Sequence, residues 1–100
     1  MKIISKKKGT GKTTELIKIA AADGGMIVCH NINECRRIQK QAIELELNIR
    51  FPITYFEFMD ESFRGSQNHL FHIDNVEMFL SSITTHKIKT ITITTIKLKN

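Results

Sequence analysis

The run SKKKGTGKTT at residues 5–14 constrains this chain more than any other stretch. Two glycines, Gly9 and Gly11, bracket Thr10, and Lys12, Thr13 and Thr14 follow at once. Upstream, residues 2–5 (KIIS) have the length of a short strand. Downstream, Thr13, Leu16, Ile17 and Ala20 recur at i, i+3, i+4 and i+7, which predicts a helix over residues 12–22 that closes at Gly24 and Gly25. The chain must therefore pass from strand to helix through a glycine-rich loop.

Such a loop has a chemical consequence. Glycines let the backbone curl so that successive N–H groups converge on one point. The helix N-terminus adds partial positive charge there, so the loop is suited to phosphate. Lys12 then reaches the outer phosphates and the Thr13 hydroxyl ligates Mg²⁺. The candidate nucleotide-binding residues are Lys8, Gly9, Thr10, Gly11, Lys12, Thr13 and Thr14.

The rest of the chain alternates strand and helix signals. Residues 26–29 (MIVC) form a continuous apolar run, as in a parallel strand covered on both faces. Asn31 or Asn33 caps a second helix, with Glu34 three residues after Asn31, and its inward stripe is Cys35, Ile38, Ala42 and Leu45. Phe51 and Pro52 interrupt any helix. Thr54 and Glu57 repeat the capping spacing, so a short helix begins near Tyr55, with a strand across the same residues as the alternative. A polar loop, RGSQN at 64–68, precedes LFHID at 70–74, a strand ending in a carboxylate. Val76, Phe79, Leu80 and Ile83 mark a further helix, and HKIKTITITTIKLK at 86–99 alternates as a strand centred on 91–95. Strands alternating with helices make residues 1–100 a single α/β domain with a mostly parallel sheet.

Composition narrows the setting. With 100 residues, 41% hydrophobic and 25% charged, the chain matches a one-domain globular protein. No apolar run approaches the roughly 18 residues of a membrane helix, and the N-terminus lacks a signal-peptide core, so the expected location is cytoplasmic, with no membrane partner. Cys29 and Cys35 match no zinc spacing and are expected as reduced, partly buried thiols. The net charge of +5, with Lys6, Lys7, Lys8 and Lys12 at one end and Lys87, Lys89, Lys97 and Lys99 at the other, suits nucleotide or nucleic acid; a solvated surface explains it equally well. His69 and His72 make a poor metal pair, and His72 is expected as a neutral, hydrogen-bonded core residue.

SKKKGTGKTTE resembles the Walker A motif of P-loop NTPases, especially the RGTGKTT variant of their AAA-type and helicase-like members, with Lys8 here in place of the arginine. The full motif GxxxxGK[ST] has glycine where this chain has Lys6. The resemblance implies ATP and Mg²⁺ as ligands, with Thr13 and Asp74 as the metal residues, Asp74 orienting the magnesium hydration shell. It also implies a minimal three-layer sandwich with about four strands, ordered first, last, Asp74 strand, second. Hydrolysing members carry Glu or Asp directly after this aspartate, where this chain has Asn75. An amide orients water but cannot take its proton. Glu77 either turns toward the phosphates or favours its helix dipole. Asn75 and Glu77 are thus the candidate catalytic residues of a weak or partner-dependent ATPase.

Further segments resemble the same branch. ITITT resembles its sensor strand, with Thr94 or Thr95 near the γ-phosphate, although threonine is also simply a good strand former. TYFEF resembles the T-aromatic-x-x-F segment beside the single-strand channel of superfamily 1 helicases, or else covers the sheet. Family members usually continue into a lid or second lobe that supplies an arginine finger. In this chain Arg36, Arg37 and Arg64 are the candidates, and a second copy or a partner would close the site. As a whole the chain resembles very small P-loop proteins of phages infecting Gram-positive bacteria, which implies phage or prophage DNA metabolism. The alternatives are a non-catalytic P-loop module that binds a protein ATPase, direct nucleic-acid binding by the lysine clusters, and a small-molecule kinase.

Overall fold

The computed structural model describes residues 3–4, 11–60, 70–90 and 92. Within them the element order is α1 (Lys12–Asp23), β1 (Met26–Cys29), α2 (Ile32–Glu44), β2 (Ile53–Thr54), α3 (Tyr55–Asp60), β3 (Phe71–Ile73) and α4 (Val76–Ser82). The three strands form one parallel sheet in the order β2-β1-β3. The architecture is α/β.

Each boundary has a local cause. Gly11 stands before α1 with a left-handed backbone, φ 86°, and Gly24 closes it in the same region, φ 74°. Asn31 caps α2 by accepting a 2.9 Å hydrogen bond from Glu34 N. At α3 the capping box is complete: Glu57 N donates to Thr54 Oγ1 at 3.1 Å, and Thr54 N donates to Glu57 Oε1 at 2.9 Å. Both readings of this segment are realised, since Thr54 also pairs with Cys29 in the sheet.

β1 carries the core. Ile27, Val28 and Cys29 are all buried, as a parallel strand covered on both faces requires. Successive strand side chains point to opposite faces. Ile27 and Cys29 join Leu16, Ile17 and Ala20 of α1 and Cys35, Ile38 and Ala42 of α2 in one apolar cluster. The opposite face is aromatic: Phe58 lies 5.0 Å from Phe71 and 6.0 Å from Phe79, and Tyr55 lies 5.1 Å from Phe79, all edge-on.

Five expectations change. The strand order implied by the resemblance leaves residues 26–29 at a sheet edge, whereas Ile53 and Thr54 pair along that edge; the neighbouring β3 is as expected. Leu45 leaves the inward stripe and is 38% exposed, because Glu46 turns left-handed (φ 57°) and ends the helix. Leu47 and Ile49 fold back onto the core instead. Val76 and Ile83 are exposed, and α4 has no fully buried residue. His72 is no core residue; it is half-buried and lies 2.9 Å from an oxygen of Asp23. Ile3 and Ile4 belong to no strand, although Ile4 packs on the core cluster. The rest of the expected first strand, residues 64–68 and His69, and residue 91 and residues 93–99 of the last segment, Thr94 and Thr95 included, lie outside the described residues; residues 86–90 and the exposed Thr92 belong to no strand. No helix among the described residues is long and apolar enough to cross a membrane.

Candidate functional site at the carboxyl ends of the strands

In open parallel sheets, ligands bind in the crevice beyond the carboxyl ends of the strands. His30 and Asn31 follow β1, and Asp74 and Asn75 follow β3, so the register puts them side by side. With Glu34, Tyr55 and Met78 they line a cleft of about 270 Å³. At about 30 Å³ per water, that leaves room for several waters or a small polar group.

Asp74 is the charged centre. Its backbone N–H continues the sheet by donating to Val28 O at 2.9 Å. Its carboxylate takes no hydrogen bond from a described residue. Burial pushes this carboxyl above its ordinary range, and Glu34 and Glu77 act in the same direction; Arg37 and Lys12 pull it back. Arg37 is itself held by Glu34: Nε donates to Oε1 at 3.1 Å and Nη2 to Oε2 at 2.7 Å. That bidentate bond, more than any other influence, lowers the Glu34 carboxyl.

The turn after β3 is unusual. Asn75 adopts a left-handed backbone, φ 63° and ψ 69°, a conformation that costs most L-residues roughly 1–2 kcal/mol and Asn less. It precedes α4 without a side-chain cap, and its main-chain oxygen accepts from Met78 N and Phe79 N, both at 3.1 Å. The Tyr55 hydroxyl reaches the same turn, 2.5 Å from Asp74 O and 3.0 Å from Asn75 O.

The sequence candidates divide accordingly. Lys12 and Asp74, far apart in the chain, come into one electrostatic environment. Gly11 stands with a left-handed backbone directly before Lys12, the first residue of α1. Thr13 is half-buried in the first turn of α1. Thr14 turns instead toward α2, where its Oγ1 accepts a 2.7 Å hydrogen bond from Gln41 Nε2. Asn75 lines the cleft, whereas Glu77 is exposed on α4 and lines a separate shallow depression with Leu80, Ser81 and Ile88. Lys8, Gly9 and Thr10 lie outside the described residues. Tyr55 and His30 join the site through the fold, and for His30 the signal was its position just past an apolar strand; Arg37, one of the arginine candidates, acts on Asp74 from α2.

Among the described residues no group of three or more His, Cys, Asp or Glu forms a protein cage. Mg²⁺ needs none, because it binds through one or two carboxylates plus phosphate oxygens and water. Asp74, whose carboxylate takes no hydrogen bond from a described residue, is a carboxylate of that kind.

Comparison with protein families, with curated proteins and with solved structures finds no match.

Proposed function

We propose that this chain binds a nucleoside triphosphate, ATP in the first instance, through a P-loop in which Gly11, Lys12 and Thr13 meet the phosphates and Asp74 faces the accompanying Mg²⁺. The observation that carries the reading is the left-handed Gly11 directly before Lys12 at the start of α1. The parallel pairing of β1 with the Asp74 strand supports it. So does the attraction of Lys12 for the Asp74 carboxyl. The finer architecture, a four-stranded P-loop sandwich with residues 91–95 beside the Asp74 strand, belongs to the same proposal.

Each residue has a physical task. Lys12 neutralises the outer phosphates, and Gly11 leaves the backbone free to approach them. When bound, Mg²⁺ offsets charge on the phosphate oxygens. Asp74 accepts hydrogen bonds from water or meets cationic charge, and its carboxylate takes no hydrogen bond from a described residue. Asn75 orients water but cannot remove its proton. Turnover is therefore weak unless a protein ATPase, a nucleic acid or a second copy completes the site.

A second reading has its own support. Asn75 stands where a base is needed and Glu77 is exposed outside the cleft, so the chain is also suited to a non-catalytic module that binds nucleotide to regulate a partner.

Calorimetric titration of ATP with Mg²⁺ into the wild type and Lys12→Ala tests the proposal. Micromolar binding that Lys12→Ala removes is the expected result. Absence of binding in the wild type would overturn it. Steady-state hydrolysis, with and without DNA, then separates the two readings.

A further inference from the structure

The turn that carries Asp74 is held from three sides. β1 takes the Asp74 N–H through Val28 O, and α4 takes Asn75 O through the Met78 and Phe79 N–H groups. The third hold is a side chain. Tyr55 is 3% exposed, and its ring is fixed by the T-shaped contact with Phe79 at 5.1 Å and the tilted contact with His30 at 5.8 Å. Only its hydroxyl reaches the turn, as a donor shared between Asp74 O at 2.5 Å and Asn75 O at 3.0 Å. Burial, followed by the negative charge of Asp74, pushes the phenol above its ordinary range, so the proton stays on the oxygen.

We propose that Tyr55 is the positioning residue of this site: by donating to the main-chain carbonyls of Asp74 and Asn75, its hydroxyl fixes the left-handed turn and so the direction of the Asp74 carboxylate. The proposal rests on reading Asp74 as the carboxylate that faces Mg²⁺. The logic is that of a partner bonded to a ligand's own scaffold. A carboxylate whose oxygens take no hydrogen bond from a described residue takes its direction from its backbone, and here the backbone conformation is one that tertiary contacts must maintain. Tyr55 lies on α3, directly after β2, so the capping box of Thr54 and Glu57 also sets where the hydroxyl falls.

The test is Tyr55→Phe, which keeps the ring and deletes the donor. ATP is titrated into wild type, Tyr55→Phe and Lys12→Ala, each with Mg²⁺ and with EDTA, and thermal melting checks that every chain folds. Loss of an outer partner of a metal ligand typically lowers metal affinity about 10–100-fold. Tyr55→Phe is therefore expected to lose about tenfold or more of the Mg²⁺-dependent gain in ATP affinity, with affinity in EDTA unchanged. A purely structural residue would lower both together, and that result overturns the proposal. An unchanged Mg²⁺ gain overturns it too, as does a Tyr55→Phe chain that fails to fold. If the wild type binds ATP equally with Mg²⁺ and EDTA, Asp74 has no metal role and the proposal fails. Loss of EDTA binding in Lys12→Ala would then show the phosphate loop itself intact.

Discussion

His72 Nε2 lies 3.0 Å from Oδ1 and 2.9 Å from Oδ2 of Asp23, joining the middle of β3 to the last residue of α1. The same Asp23 Oδ1 accepts the Gly25 N–H at 2.7 Å. A Cβ on Gly25 would stand 2.5 Å from His72 Nε2 and 2.8 Å from Asp23 Oδ1. Gly25→Ala is therefore expected to push the pair apart and to destabilise the fold by about 1–3 kcal/mol. Urea unfolding measures this; an unchanged midpoint would show that the ring and carboxylate relax freely.

At the end of α2, Glu46 N donates to Ile43 O and Leu47 N to Ala42 O, both at 2.9 Å. This is the bond pattern of a Schellman motif, which prefers glycine at the left-handed position that Glu46 occupies at φ 57°. Glu46→Gly should stabilise the fold by roughly 0.5 kcal/mol, the relief of backbone strain outweighing the freedom that glycine adds to the unfolded chain. A lower melting temperature in the variant would contradict this.

Asp74 sets a pH dependence with a definite sign. Its folded carboxyl lies above the ordinary 3.8, so the folded chain holds this proton more tightly than the unfolded one. Ionisation as pH rises from 3.8 through the folded value therefore costs stability, and the cost persists at neutral pH. Asp74→Asn should be more stable than wild type at pH 7 while losing Mg²⁺-dependent ATP binding, the trade expected of a functional charge. Below pH 3.8 the difference should vanish. Equal melting temperatures at pH 7 would remove the argument.

Cys29 Sγ and Cys35 Sγ lie 3.1 Å apart, both buried and both free. Burial is the main reason that both thiols titrate above their ordinary range. Thiolate is the reactive form, so both should resist a thiol reagent at neutral pH until the fold opens. Labelling is expected to be slower than in denaturant by more than about a hundredfold, and both thiols should react together. Rapid labelling of one alone would show local opening at the β1–α2 junction.

Much of this fold is legible in the sequence because its signals are local. The spacings of Asn31 with Glu34 and of Thr54 with Glu57 become hydrogen bonds between near neighbours. Gly24 ends α1, and the apolar run at 26–29 becomes the central strand. Leu45 was not legible: no glycine marks the turn at Glu46, and the side chains that replace it, Leu47 and Ile49, depend on how the chain returns to the core. Of the candidate site, Gly11, Lys12, Thr13 and Asp74 stand out by residue type and order. Tyr55 does not, since a tyrosine at a helix start looks the same whether its hydroxyl meets water or a distant carbonyl.

The sequence by itself determined where α1 ends, where α2 and α3 are capped, and which strand is buried on both faces. These follow from backbone preferences and side-chain periodicity over a few residues. Only the tertiary structure decided that Ile53 and Thr54 cover the edge of β1, that Lys12 and Arg37 act on Asp74 from different helices, and that Tyr55 holds the turn beneath it. Those relationships join residues far apart in the chain. Such contacts form only once the apolar cores on the two faces of the sheet have offset the entropy of bringing the segments together.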